Sequence, residues 1–100
     1  MFNLKDVNVI EGGAENEEEY FSSLQAAINS LSAWKMQGSY GRAMMNAIES
    51  GKTMLGLEPT TDYWGNRIPS RTEVQDGTKG SRSYVVKHSG EEWAAMLDAV

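Results

Sequence analysis

The sequence contains no cysteine, one histidine, two prolines and nine basic residues in 100. Without cysteine there are no disulfides, no thiolate metal sites, no iron–sulfur clusters and no cysteine nucleophiles, so a small secreted domain stapled by bridges is excluded. With His88 alone, any Ser-His-Asp arrangement or multi-histidine metal site would rest on one ring, and no serine stands in a G-x-S-x-G context. His88 therefore reads as a structural residue, no cofactor or metal is expected, and an enzyme is disfavoured. Apolar runs are short as well. Phe2, Leu4, Val7, Val9 and Ile10 are interrupted by Asn3, Lys5, Asp6 and Asn8, too short and polar a stretch for a signal core or a membrane span. With no Asn-x-Ser/Thr sequon either, the expectation is an intracellular protein without membrane partners.

What is present fits one compact domain: 40% hydrophobic residues, 23% charged and a formal net charge of -5. The acid excess argues against general nucleic-acid affinity, which relies on basic side chains displacing counterions from phosphates. It does not exclude a local basic patch. Residues 1–36 hold Asp6, Glu11, Glu15, Glu17, Glu18 and Glu19 against Lys5 and Lys35, a net of about -4 at neutral pH. Residues 37–80 balance, with Arg42, Lys52, Arg67, Arg71 and Lys79 facing Glu49, Glu58, Asp62, Glu73 and Asp76.

Apolar periodicity predicts a mainly α fold, or α+β. Residues 1–14, rich in β-branched types, read as an extended arm or short strand. Asn16 and Glu19 form a capping-box pattern opening a helix over 16–36, with Phe21, Leu24, Ile28, Leu31 and Trp34 on one face. The three glutamates at its start are stabilised by the exposed backbone N–H groups and macrodipole. A second helix over 39–50 carries Tyr40, Met44, Ala47 and Ile48 and ends at Gly51. Its neighbours Met44 and Met45 lie about 100° apart around a helix, so one of them faces solvent or a partner.

Glycine and proline punctuate 52–80 into a long loop pinned by Tyr63, Trp64 and Ile68, with short strands, a small hairpin, placed at Thr53–Leu57 and Arg71–Val74. For 81–99 two readings stand: one helix capped by Ser81, or a strand over Ser83–Lys87 followed by a helix opened by a Ser89/Glu92 capping box. Gly51-Lys52-Thr53 is the tail of a P-loop, but Asn46 stands where its first glycine belongs. A helix C-cap explains it better.

The densest stretch is Asp62 to Arg71. Two aromatics, Tyr63 and Trp64, with Arg67 and Arg71, match the residue types of binding hot spots. Equally, the rings fold the loop over the helices while an arginine pairs with acids. Tyr40 and Arg42, at the start of the second helix, complete the candidate surface.

Gln37-Gly38-Ser39-Tyr40-Gly41-Arg42-Ala43-Met44-Met45, Ala47 to Gly51, Met54-Leu55-Gly56, Tyr63-Trp64-Gly65-Asn66, Pro69-Ser70-Arg71 and Gly77 to Ser81 together give a pattern across residues 20–85. In this pattern the chain resembles small accessory proteins of tailed bacteriophages, a group with no assigned reaction and no established functional residues. The resemblance implies a phage product in the bacterial host cytoplasm that binds a host protein without enzymatic chemistry, as in host takeover or inhibition of defence. The alternatives are a nucleic-acid-binding module built on Arg42, Lys52, Arg67, Arg71 and Lys79, and third a small hydrolase or nuclease. A homo-oligomer is compatible with all of these.

Overall fold

A computed structural model describes residues 2–36 and 38–100; Met1, at the end of the expected arm, and Gln37, at the head of the resemblance pattern, lie outside them. The architecture is mainly α with a small hairpin. Among the described residues there are five α-helices and one antiparallel pair of two-residue strands.

The N-terminal segment is helical, not extended. Helix α1 spans Leu4–Asn8 and runs into a π-helical turn, Val9–Gly13, that breaks at Gly12, where φ is 121°. Local hydrogen bonding overrides β propensity here. Asn3 accepts from the Asp6 N–H at 3.1 Å and Asp6 accepts from the Asn3 N–H at 3.1 Å, a reciprocal cap that a strand could not form. Asp6 also accepts from the Ser23 hydroxyl at 3.0 Å, tying this turn to the next helix.

Helix α2, Glu17–Asn29, starts where Asn16 accepts from the Glu19 N–H at 2.8 Å. It ends well short of residue 36. Ser30 leaves helical geometry, donating its hydroxyl to the Ala27 carbonyl at 2.8 Å and accepting from the Ala33 N–H at 3.2 Å. Serine competing for the backbone in this way is why such residues end helices. Leu31, expected on the buried stripe, is consequently exposed, while a 3-10 turn at Ala33–Lys35 returns Trp34 to the core. The Trp34 indole donates to the Ile28 carbonyl at 3.1 Å.

Helix α3, Gly38–Glu49, packs against α2 with Tyr40, Met44, Ala47 and Ile48 inward, the stripe its spacing predicts. Met44 is fully buried and Met45 is exposed. Gly51, at φ 78°, closes the helix, and a side chain there would collide with His88.

Strands β1, Thr60–Thr61, and β2, Arg67–Ile68, pair as Thr60 with Ile68 and Thr61 with Arg67. They are not at Thr53–Leu57 and Arg71–Val74. Those two segments find other partners: the Leu55 N–H donates to the Gly80 carbonyl at 2.9 Å, and the Arg71 N–H to the Gly56 carbonyl at 2.9 Å. Residues 53–56 cross the interior without regular structure, all four of them buried. Met54 joins the cluster of Val85, Ala94 and Leu97, and Leu55 joins the larger cluster of Leu24, Ile28, Trp34, Met44 and Ile48.

The last segment is helical from its Ser81 cap onward, with no strand over Ser83–Lys87, but it is not one helix. It forms α4, Arg82–Ser89, and α5, Glu91–Asp98, broken at Gly90, where φ is 98°. Ser81 caps α4, accepting from the Tyr84 N–H at 3.2 Å. The Ser89 hydroxyl donates instead to the Gly51 carbonyl at 2.8 Å, so no capping box forms with Glu92 and α5 starts without a side-chain cap. Arg82 spans the break, donating to Glu91 at 2.9 Å and to Asp98 at 2.8 Å. Both acids favour its charged form and raise its pKa.

Candidate interaction surface

The turn between β1 and β2 is organised by Asp62. One carboxylate oxygen accepts from the Trp64 N–H at 2.9 Å and the Asn66 N–H at 2.8 Å; the other accepts from the Asn66 side chain at 3.2 Å. A short acidic side chain bonding the backbone just ahead of it is the usual device for fixing a turn without secondary structure. Desolvation is the largest single influence and raises the Asp62 pKa, but the hydrogen bonds from Asn66, Trp64 and Gly65 together outweigh it and hold the carboxyl below the usual carboxylate range. The turn therefore keeps its acceptor ionised at neutral pH.

Tyr63 and Trp64 sit at the tip of this turn, 59% and 57% exposed. Their rings meet edge to face, 5.5 Å apart and at 88°, a geometry aromatic pairs favour. Trp64 also rests on α3. Gly38 and Gly41, three residues apart and so on one helical face, leave a flat on which the indole lies. A Cβ at Gly38 would fall 2.6 Å from Cη2 and Cζ2 of Trp64, whereas one at Gly41 would make an ordinary contact at 3.8 Å. Arg42 and Met45 border the same groove. The result is an exposed cluster of two rings, a thioether and a guanidinium, held on backbone geometry.

The six residues singled out in the sequence divide into two groups. Tyr63, Trp64 and Arg42 are exposed; Trp64 and Arg42 border one groove, with Tyr63 packed on Trp64. Arg67, Arg71 and Tyr40 have other engagements. Arg67 pairs with Glu73 at 2.6 Å on the surface; Glu73 is held below its ordinary pKa by the Ser70 backbone N–H and by Arg67. Arg71 turns inward, Nε donating to the Leu55 carbonyl at 2.8 Å and a terminal nitrogen to Asn29 Oδ1 at 3.1 Å. Burial lowers its pKa, although it remains a guanidinium at any physiological pH. Tyr40 is buried and donates its hydroxyl to Glu11.

Lys52 lies over the Trp93 ring, 4.8 Å from its centre. Thr53, next to it, is fully buried, and Gly51 of the same tripeptide closes α3 with a positive φ. His88 packs against Tyr84 with ring centres 4.1 Å apart and planes tilted by 43°. Among the described residues no group of three or more histidine and acidic side chains is placed to hold a metal ion, and no helix is long and apolar enough to cross a membrane.

Two features of the surface escape composition-based reading. Gly38-Ser39-Tyr40-Gly41 carries a legible signal, two glycines at helical i, i+3 spacing, which marks a face where another group comes close. Asp62 with Asn66 four residues on is likewise a turn signature. Neither names the ring that lands on the glycines, because that contact is between segments far apart in sequence. No family model, curated protein or solved structure matches this chain.

Proposed function

We propose that this protein is a non-enzymatic accessory factor that works by binding another protein, with Tyr63 and Trp64 as the anchor and Arg42 and Met45 beside them. The observation that carries the reading is the exposure of two adjacent large rings on a turn that is already ordered. Aromatic and arginine side chains dominate binding energy at interfaces. Fixing them beforehand removes part of the ordering cost of association. Asp62 and the glycine flat do that fixing. The resemblance to phage accessory proteins supports a host protein in the bacterial cytoplasm as the partner.

The test compares wild type with a Tyr63→Ala/Trp64→Ala double variant as immobilised bait in a bacterial lysate, with circular dichroism confirming that both are folded. A host protein retained by wild type and released by the folded double variant supports the reading. Equal retention by both sinks it. The alternative of a nucleic-acid module is read from the same preparations: binding to DNA at low salt that weakens steeply as salt rises would favour it.

A further inference from the structure

Between the π-helical turn and α3 lies a cavity of about 170 Å³, lined by Ile10, Glu11, Tyr20, Ser39, Tyr40 and Ala43. It opens past Glu11 toward Met36. That outer recess, which shares Glu11, Ser39 and Tyr40, is wider, about 680 Å³; drug-sized ligands occupy roughly 300–1,000 Å³, so only the inner 170 Å³ is matched to a single side chain, which would enter from the wider recess. Its chemistry is uneven: aliphatic and aromatic walls, and one carboxylate with a serine hydroxyl at the rim. Glu11 Oε2 accepts the Tyr40 hydroxyl at 2.5 Å. Oε1 has no protein donor among the described residues. No basic side chain pairs with Glu11 there either, since the ion pairs are those of Glu73, Glu91 and Asp98.

We infer that this cavity receives a lysine side chain from the partner protein, the ammonium meeting Glu11 Oε1 and Ser39 Oγ while Tyr20 and Tyr40 flank the stem. The inference rests on the protein-binding reading above and gives its partner a chemistry. One argument selects lysine over arginine, and two more favour a cation of either kind. An ammonium carries three donors and tolerates acceptors in any arrangement, whereas the planar guanidinium fork is matched by both oxygens of a carboxylate, and one of these is already held by Tyr40. Aromatic walls stabilise a cation further. Glu15, Glu17 and Glu18, exposed close by in sequence, add a negative field that steers a basic surface toward this side of the molecule.

The test uses the full chain labelled with 15N and three acetylated, amidated tripeptides, Gly-Lys-Gly, Gly-Arg-Gly and Gly-Gln-Gly, titrated by NMR. The lysine peptide is expected to shift the amides of Ile10, Glu11, Ser39 and Ala43 saturably, in the roughly millimolar range of a one-residue contact. Glu11→Gln, which keeps an acceptor for Tyr40, should weaken it by about tenfold or more. A Glu15→Gln/Glu17→Gln/Glu18→Gln variant should weaken it less than about threefold, because those charges steer without touching the ligand. Unchanged binding in Glu11→Gln, equal loss in the triple variant, or tighter binding of the arginine peptide overturns the inference. Tyr63→Ala/Trp64→Ala should leave the peptide titration unaltered. A failed titration alongside retained host capture therefore removes the lysine site alone, and the reverse pattern removes the Trp64 surface alone.

Discussion

Gln25 grips the backbone of Met54 with both ends of its amide: Oε1 accepts from the Met54 N–H at 2.9 Å and Nε2 donates to the Met54 carbonyl at 2.9 Å. Gln25 is fully buried and 29 residues away in sequence. A buried glutamine is tolerable because its donor and acceptor are both answered. Gln25→Leu fits the volume but strands two buried backbone groups, each costing about 1–3 kcal/mol. The expected result is a lower urea midpoint with an unchanged slope, amounting to roughly 2–6 kcal/mol lost.

The glycine flat separates placement of Trp64 from stability. Gly38→Ala puts a Cβ into the indole and should displace it, while Gly41→Ala leaves it in place. Both exchanges gain helix propensity of up to about 1 kcal/mol. Gly38→Ala should therefore shift the Trp64 indole N–H signal in NMR and weaken host-protein capture with little change in melting temperature. Gly41→Ala should change neither signal nor capture.

Arg71 is a clamp between α2 and the central segment, so its loss should be read in stability and not in binding. Arg71→Lys cannot reproduce the paired contacts to Leu55 and Asn29. Chemical denaturation should show about 1–3 kcal/mol lost, with host-protein retention by the folded variant unchanged. Reduced retention at full stability would return Arg71 to the binding surface.

Tyr40 sets an alkaline limit. Desolvation, then the hydrogen bond and charge of Glu11, push its pKa from 10.0 up to about 12. A group whose pKa is raised on folding contributes stability fully present below its unfolded value and lost as pH rises through the folded one. Stability should thus fall between pH 10 and pH 12, and one of the four tyrosines should ionise late in an ultraviolet absorbance titration. Tyr40→Phe should remove the late step.

The helices that carry a long apolar stripe were legible in the sequence; the exceptions turn on local hydrogen bonds. The stripe of α3 follows directly from the spacing of Tyr40, Met44, Ala47 and Ile48. At the N-terminus, β-branched Val7, Val9 and Ile10 argued for extended chain, but the short-range Asn3–Asp6 exchange decides the backbone. Ser30 ends α2 by the same kind of competition, and Gly90 breaks the last helix in two. For the surface, residue types alone picked out Tyr63 and Trp64 yet could not separate Arg42, which is free to face a partner, from Arg71, which is spent on the Leu55 carbonyl. That difference depends on which carbonyl happens to lie opposite, and nothing near Arg71 in sequence encodes it.

The buried passage of residues 53–56 bears on how the molecule comes apart. Met54 belongs to the cluster beneath α4 and α5, Leu55 to the one between α2 and α3, and the two are neighbours along the backbone. A helical hairpin followed by a C-terminal helix pair would ordinarily be free to melt in two stages. Here the same four residues are the hinge pin of both halves. Loosening either half should therefore release the other, and the expected outcome is one unfolding transition that tryptophan fluorescence and circular dichroism report at the same denaturant concentration.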